Sequence, residues 1–314
     1  MEINIAEKLL NLAQRPVDNP FFDFEAAQAS QKLELSAQQK DAVLAALNEG
    51  ALVITGGPGT GKTTIIRFIT AIMENMGLSV ELTAPTGRAA KRMSDATGHE
   101  ARTIHRLLEY IPGEGFMRDG DDPLLCDMVI VDEMSMVDVP LMHALLKAVL
   151  VGTRLIMVGD SDQLPSVGAG DVLRDVIASG AVRVVRLDEI FRQAQKSMIV
   201  TNAHRINEGL QPVLDMEESD FLFEDLPSQD RILERIIDLC VRPRGLLATS
   251  DPLMDVQVLA PMKKGVLGVW NINTQLQAAL NPPEKGKHEH ISGDMTFRGS
   301  DRIMQMKNNC HVEW

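Results

Sequence analysis

Apolar residues along this chain recur in two rhythms. At helical spacing they mark residues 2–14 (Ile5, Leu9, Leu12), 36–47, and the stretch holding Ile65, Ile66, Phe68 and Ile69. The same spacing returns over 140–150, around Ile199, Ala203 and Ile206, over 230–240, and in a helix ending near Leu280. Short continuous apolar runs, rich in β-branched members, predict buried strands at 51–55, 79–83, 127–131, 153–158, 181–187 and 256–260. A final strand is expected at 301–306. Pro16 and Pro20 break the first helix, and Phe21, Phe22 and Phe24 follow in a proline-flanked turn. Ser36 is placed to cap the second helix, and Gly50 ends it. Residues 112–123 are rich in Gly and Asp and read as a surface loop; 209–227 is an acidic, turn-rich linker. Strands alternating with helices predict an α/β fold with a parallel sheet flanked by helices.

The first strand breaks at Gly56-Gly57-Pro58-Gly59-Thr60-Gly61, and Lys62-Thr63-Thr64 opens the next helix. Gly56 to Thr63 fits G-x-x-x-x-G-K-[ST] in the required context of strand, glycine turn and helix N-terminus. Glycine tolerates the left-handed backbone such a turn needs. Successive backbone N–H groups and the positive helix end then converge on phosphates. Lys62 would meet the β- and γ-phosphates, and the Thr63 hydroxyl would ligate Mg²⁺. The stretch is a nucleoside triphosphate site, with ATP and Mg²⁺ as the expected ligands.

A second feature completes it. The apolar run 127–131 delivers Asp132 and Glu133 at its end, a pair that fits a metal-holding acid followed by a base for the attacking water. Gly159-Asp160-Ser161-Asp162-Gln163 leaves the next strand, where the ligand crevice of a doubly wound sheet lies, so Gln163 is placed to sense the γ-phosphate. Arg192, just past a strand end, is a candidate arginine finger; a surface ion pair with Asp188 or Glu189 is its plain alternative. Gln39, near the start of the helix before the phosphate loop, could pair with an adenine edge or be a solvated helix residue. His204 lacks any partner at metal-ligand spacing, so packing or a backbone contact is expected of it.

Two further helix starts carry hydroxyls and basic groups. Pro85, Thr86, Gly87 and Arg88, with Lys91 and Arg92 behind them, form one; Thr103 and His105 form the other. Both suit a phosphodiester backbone, and both suit a solvated helix face.

Composition narrows the field. Among 314 residues, 45% are hydrophobic and 24% charged, ordinary values for a globular chain. The net charge of −13 argues against a generally basic nucleic-acid binder and leaves room only for a local basic groove. Cys126, Cys240 and Cys310 are isolated, so neither a disulfide framework nor a zinc site is expected. No secretory signal and no run of membrane-spanning length is visible, which points to a soluble, cytoplasmic protein.

From residue 35 onward the ordered motifs resemble the RecD-type branch of superfamily 1 helicases, the family of the exodeoxyribonuclease V alpha subunit. They are LSAQQKDAV, TGGPGTGKTT, TAPTGRAAKRM, TIHRLL, VIVDEMSMVD, VGDSDQLPSVGAGDVL, LDEIFRQ, VLAPMKKG and RIMQMKNN. The resemblance implies a P-loop NTPase with a RecA-like first domain (35–210), a linker and helix (211–250) and a partial second RecA-like domain (251–314). Residues 1–34 would be an N-terminal remnant or linker. It implies that Gln39 contacts adenine and that Lys62, Thr63, Asp132 and Glu133 form the ATP and Mg²⁺ site. Gln163 and Arg192 would couple the γ-phosphate to domain closure. Thr86, Gly87, Arg88 and the Thr103–His105 turn would contact single-stranded DNA. The implied activity is ATP-driven 5′→3′ movement on single-stranded DNA with opening of duplex junctions, in repair or recombination. Subunits of a recombination complex are the implied protein partners, with no membrane involved and the oligomeric state left open. In relatives the last strand is followed by a turn with NGD-like residues, an inserted β-rich domain and the late motifs. None follows here, so a truncated chain is expected. A P-loop phosphotransferase and a nucleotide-binding module without turnover are the competing readings.

Overall fold

The computed structural model describes residues 1–14, 24, 25, 28, 34–189, 197–214, 219–243, 249, 251–293 and 295–303. Two compact units divide the chain, Met1–Val213 and Leu214–Trp314. The first is built on six strands: β1 (Ala51–Gly56), β2 (Val80–Ala84), β3 (Ala101–Thr103), β6 (Met128–Val131), β7 (Arg154–Gly159) and β8 (Arg183–Leu187). All pair in parallel, in the order β3-β2-β6-β7-β1-β8. A parallel sheet is covered on both faces, which is why its strands read as unbroken apolar runs rather than alternating ones.

The central strands β1, β6 and β7 divide their side chains between two cores. Ala51 and Val53, Val129 and Val131, and Leu155 and Met157 face one; Leu52 and Ile54, Met128 and Ile130, and Ile156 and Val158 face the other. The first core is closed by α1 (Glu2–Gln14), α6 (Val139–Ala148) and α7 (Val172–Ser179), the second by α2 (Ala37–Asn48) and α3 (Lys62–Asn75). Burying each such aliphatic side chain stabilises by about 1.5–3 kcal/mol. Ile5, Leu9 and Leu12 are the buried stripe of α1, as their spacing predicts. The remaining helices of this unit are α4 (Gly87–Thr97), the single turn α5 (Ile104–Leu107) and α8 (Met198–Asn207).

Register brings the strand ends level. Thr55 of β1 lies beside Gly159 of β7 and Arg186 of β8, and Val131 of β6 lies beside Met157 of β7. The residues that leave these ends are therefore neighbours, although they come from distant parts of the sequence. Two glycines shape the loop after β7. A Cβ on Gly168 would fall 1.9 Å from Oδ2 of Asp138, the side chain that caps α6. Gly170, at φ +89°, leaves space for Val139.

Two local expectations change. β5 (Gly115–Phe116), inside the stretch read as a loop, pairs antiparallel with β4 (Tyr110–Ile111), just before it. His105, Tyr110 and Phe116 stack at centroid distances of 5.0–5.5 Å and give this ribbon a small aromatic core. In the second unit the apolar stretch 256–260 joins no ladder among the described residues, and Leu259 is 88% exposed. An apolar run becomes a strand only where a neighbour accepts its backbone hydrogen bonds.

That unit holds α9 (Gln229–Val241), α10 (Pro252–Asp255), α11 (Val269–Leu280) and a hairpin of β9 (Glu289–Ser292) with β10 (Met295–Arg298). The Asp301 carboxylate knits it together, accepting from Gln277 (2.6 Å), Asn281 (2.7 Å) and the Arg298 amide (2.7 Å). Residues 301–303 are irregular, and the rest of the strand expected at 301–306 lies outside the described residues, as do Phe21, Phe22 and Cys310. No helix among the described residues is long and apolar enough to cross a membrane.

Candidate functional site

The loop between β1 and α3 folds back on itself. Gly59 (φ +77°) and Gly61 (φ +83°) take the left-handed backbone that only glycine adopts without steric cost. Thr60 is buried and its hydroxyl donates to the Gly57 carbonyl at 2.9 Å. Pro58 and Gly59 are exposed at the crest, and Thr63 and Thr64 sit half-buried on the first turn of α3. Gly61 caps that helix with no side-chain bond, so its leading N–H groups are left for a ligand. The Lys62 ammonium folds over the loop and donates to the carbonyls of Gly56 (2.5 Å) and Gly57 (3.0 Å).

Asp132 and Glu133 emerge from β6. Asp132 is buried (4% exposed), and its Oδ1 accepts the Glu133 amide at 2.9 Å. Glu133 is held at φ +54°, a left-handed conformation that disfavours a side chain by roughly 1–2 kcal/mol, where it opens a single 3₁₀ turn, Met134–Met136. Strain of this kind collects at functional positions. Arg92, from α4, donates to the Glu133 carboxylate and lies 3.8 Å from Asp132.

The charges form one field. Burial lowers the Lys62 pKa, opposed by the charges of Asp160, Asp132 and Glu133. Burial raises the Asp132 pKa, and the Glu133 charge adds to it, while the Glu133 amide, Arg92 and Lys62 pull the other way. Lys62 and the acid pair therefore lie within electrostatic reach of one another. Asp160, buried at the end of β7, exerts the largest attraction on Lys62. The sequence pattern alone assigns it no role beyond that of an acid at a strand's C-terminal end. Arg92 was missed as a partner of Glu133, because nothing local joins residues 41 positions apart.

A cleft of about 700 Å³ opens beside the loop, lined by Thr55, Gly57, Asp160, Gln163, Asp188 and His204. Gln163 is exposed on its rim. Arg192 lies outside the described residues. Gln39 is 1% exposed, which removes the solvated-helix alternative. Its carboxamide accepts from the Ser36 amide (3.2 Å) and donates to the Thr60 carbonyl (3.3 Å), tying α2 to the loop. Each end of the amide thus makes one bond to protein and keeps a further N–H or lone pair.

The two basic helix starts come together at the sheet edge. Ala84 of β2 pairs with Thr103 of β3, so the turn through Pro85, Thr86 and Gly87 sits beside the turn through Thr103 and His105. Thr86 and Thr103 are both N-caps, accepting from the amides of Ala89 and Arg106. Arg88, Lys91 and Arg92 line a shallow basic depression on α4. His105 is stacked into the aromatic ribbon.

The donor set fits a magnesium nucleotide: an uncapped helix start, a lysine parked on its own loop and a buried carboxylate beside it. A parallel sheet carrying these groups at its strand ends defines a P-loop NTPase of RecA-like fold. The chain belongs to the AAA domain family, which matches residues 34–222. It is 37% identical to the ATP-dependent RecD2 DNA helicase of Deinococcus radiodurans over 96% of this chain and 40% of that protein. It is 35% identical to the RecBCD enzyme subunit RecD of Mycobacterium tuberculosis over 77% of this chain and 48% of that protein. The chain thus spans less than half the length of these relatives. Among solved structures, the Pif1 helicase from Candida albicans is similar over 66% of this chain and 55% of that one, at 22% identity and a TM-score of 0.43.

Proposed function

We propose that this chain is the ATP-hydrolysing part of a DNA helicase or translocase of the RecD type. The observation that carries the reading is the meeting of Lys62, Asp132, Glu133 and Asp160 at the ends of adjacent strands. The amides of residues 57–61 and Lys62 bind the phosphates, Lys62 leaving the two carbonyls it now holds. Thr63 and Asp132 would hold Mg²⁺, which neutralises phosphate charge when bound. Glu133 orients the attacking water and accepts its proton, and this requires Arg92 to release it. Gln163 and Arg192 complete charge stabilisation at the γ-phosphate.

The paired turns at Thr86 and Thr103, with Arg88, form the single-stranded DNA track. Arg92 is shared between that track and Glu133, which couples the two sites. Movement is 5′→3′ toward duplex junctions, in repair or recombination in the cytoplasm, with recombination-complex subunits as partners. The names of the relatives support the helicase reading and a subunit partner, and the polarity and the track residues rest on the resemblance of the motifs in this sequence.

Arg92 on Glu133 favours a second reading, a module that binds nucleotide without appreciable turnover. Phosphate release measured with and without single-stranded DNA separates the two. The motor reading expects strong stimulation by DNA; negligible turnover in both conditions would leave only the module.

A further inference from the structure

His204 has a place that neither the motifs nor the proposed mechanism uses. It rides on α8, which begins at the Ser197 N-cap and is held from its far side by chain that turns back on it. Asn202, buried, donates to the Val213 carbonyl (2.9 Å) and accepts its amide (2.8 Å), while Arg205 donates to the Gln211 carbonyl (2.8 Å). These bonds fix α8 and so fix the imidazole.

The ring lies against the phosphate loop. A Cβ built on Gly57 would meet His204 Cε1 at 2.7 Å and Nε2 at 3.3 Å. A side chain at this position would meet the imidazole and displace it from the loop. His204 Nε2 is buried and has no hydrogen-bond partner among the described residues. Buried polar atoms are nearly always paired, so an orphan beside a ligand cleft points to a partner that arrives with the ligand. The same cleft is lined by Thr55, Asp160 and Gln163.

We propose that His204 is a further nucleotide-binding residue, whose Nε2–H donates to a phosphate oxygen of the nucleotide seated on residues 57–61. This rests on the ATP reading above. Gly57 and His204 then act as a pair: the missing side chain of one makes room for the other to reach the phosphates. Hydrogen bonds to charged oxygens are the stronger kind, so losing this one should weaken nucleotide binding at least tenfold.

The test is a calorimetric titration of the full 314-residue chain with the magnesium salt of a non-hydrolysable ATP analogue. His204→Leu should bind at least tenfold more weakly, and His204→Gln, which restores a terminal N–H, should recover most of the loss. In the wild-type chain with ¹⁵N-labelled histidine, the Nε2 resonance of His204 should shift on adding the analogue. Affinity unchanged in His204→Leu, no rescue by Gln, or an unmoved resonance at saturation would each overturn the proposal while leaving the ATP reading intact. If the wild-type chain binds no analogue, the ATP reading falls and this proposal falls with it.

Discussion

Glu133→Gln removes the proposed base and little else. The amide has the size of the carboxylate and keeps an oxygen for Arg92 to bond. The Arg92 side chain is 60% exposed, so solvent screens the lost ion pair and it stabilises by at most about 1 kcal/mol. Loss of the Glu133 charge also relieves repulsion on the buried Asp132 carboxylate, an effect of opposite sign. The two offset, and the melting temperature should move by no more than about 4 °C. Catalysis should respond on another scale. Loss of a general base lowers turnover by about 10²–10⁴-fold, or roughly 2.7–5.5 kcal/mol of barrier. A fall of that size in a chain that still melts normally cannot be ascribed to unfolding. Phosphate release at saturating ATP and single-stranded DNA reads the rate, and titration with a non-hydrolysable analogue reads binding. Turnover within threefold of wild type at unchanged affinity would refute the assignment.

Three other outcomes follow from the same geometry. Ser36→Ala removes the hydroxyl that accepts the Gln39 amide at 3.4 Å, so it should cost about 1 kcal/mol of stability and lower the melting temperature by roughly 2–4 °C; an unchanged melt would mean the cap is idle. Burial raises the Asp132 pKa, so the folded chain binds that proton more tightly than the unfolded one and loses stability as pH rises toward neutral. Asp132→Asn should therefore melt higher than wild type at pH 7, the gap closing on acidification, and a gap independent of pH would contradict the cause given. DNA affinity, followed by fluorescence anisotropy, should fall with salt, and Arg88→Ala should flatten the logarithmic slope by about 0.7; an unaltered slope would place Arg88 off the DNA.

What could be read from the sequence was whatever its local pattern carries. The phosphate loop is one contiguous stretch whose glycines and lysine serve the same ligand, so its strand, turn and helix appear in order. Asp132 and Glu133 were legible as acids at a strand end, yet their nearness to Lys62 depends on a strand order, β6-β7-β1, that no local pattern encodes. The contacts of Arg92 with Glu133 and of His204 with Gly57 are of the same kind, created by the sheet and invisible without it. Gln39 shows a different limit. Ser36 and Gln39 carry the spacing of a capping box, and the structure contains it, a structural role that the base-contact reading of the glutamine does not include. The hairpin at 110–116 was hidden by its turn residues, and 256–260 has strand composition but no strand neighbour among the described residues.

The loop at 56–63 and the acids at 132 and 133 are proposed to form a single magnesium–nucleotide site. Titration calorimetry of wild type and Lys62→Ala with a non-hydrolysable ATP analogue, with and without Mg²⁺, tests it most directly. The wild type should bind tightly and only with Mg²⁺, and Lys62→Ala should lose that binding. Equal affinity in the two proteins, or no dependence on Mg²⁺, would contradict it.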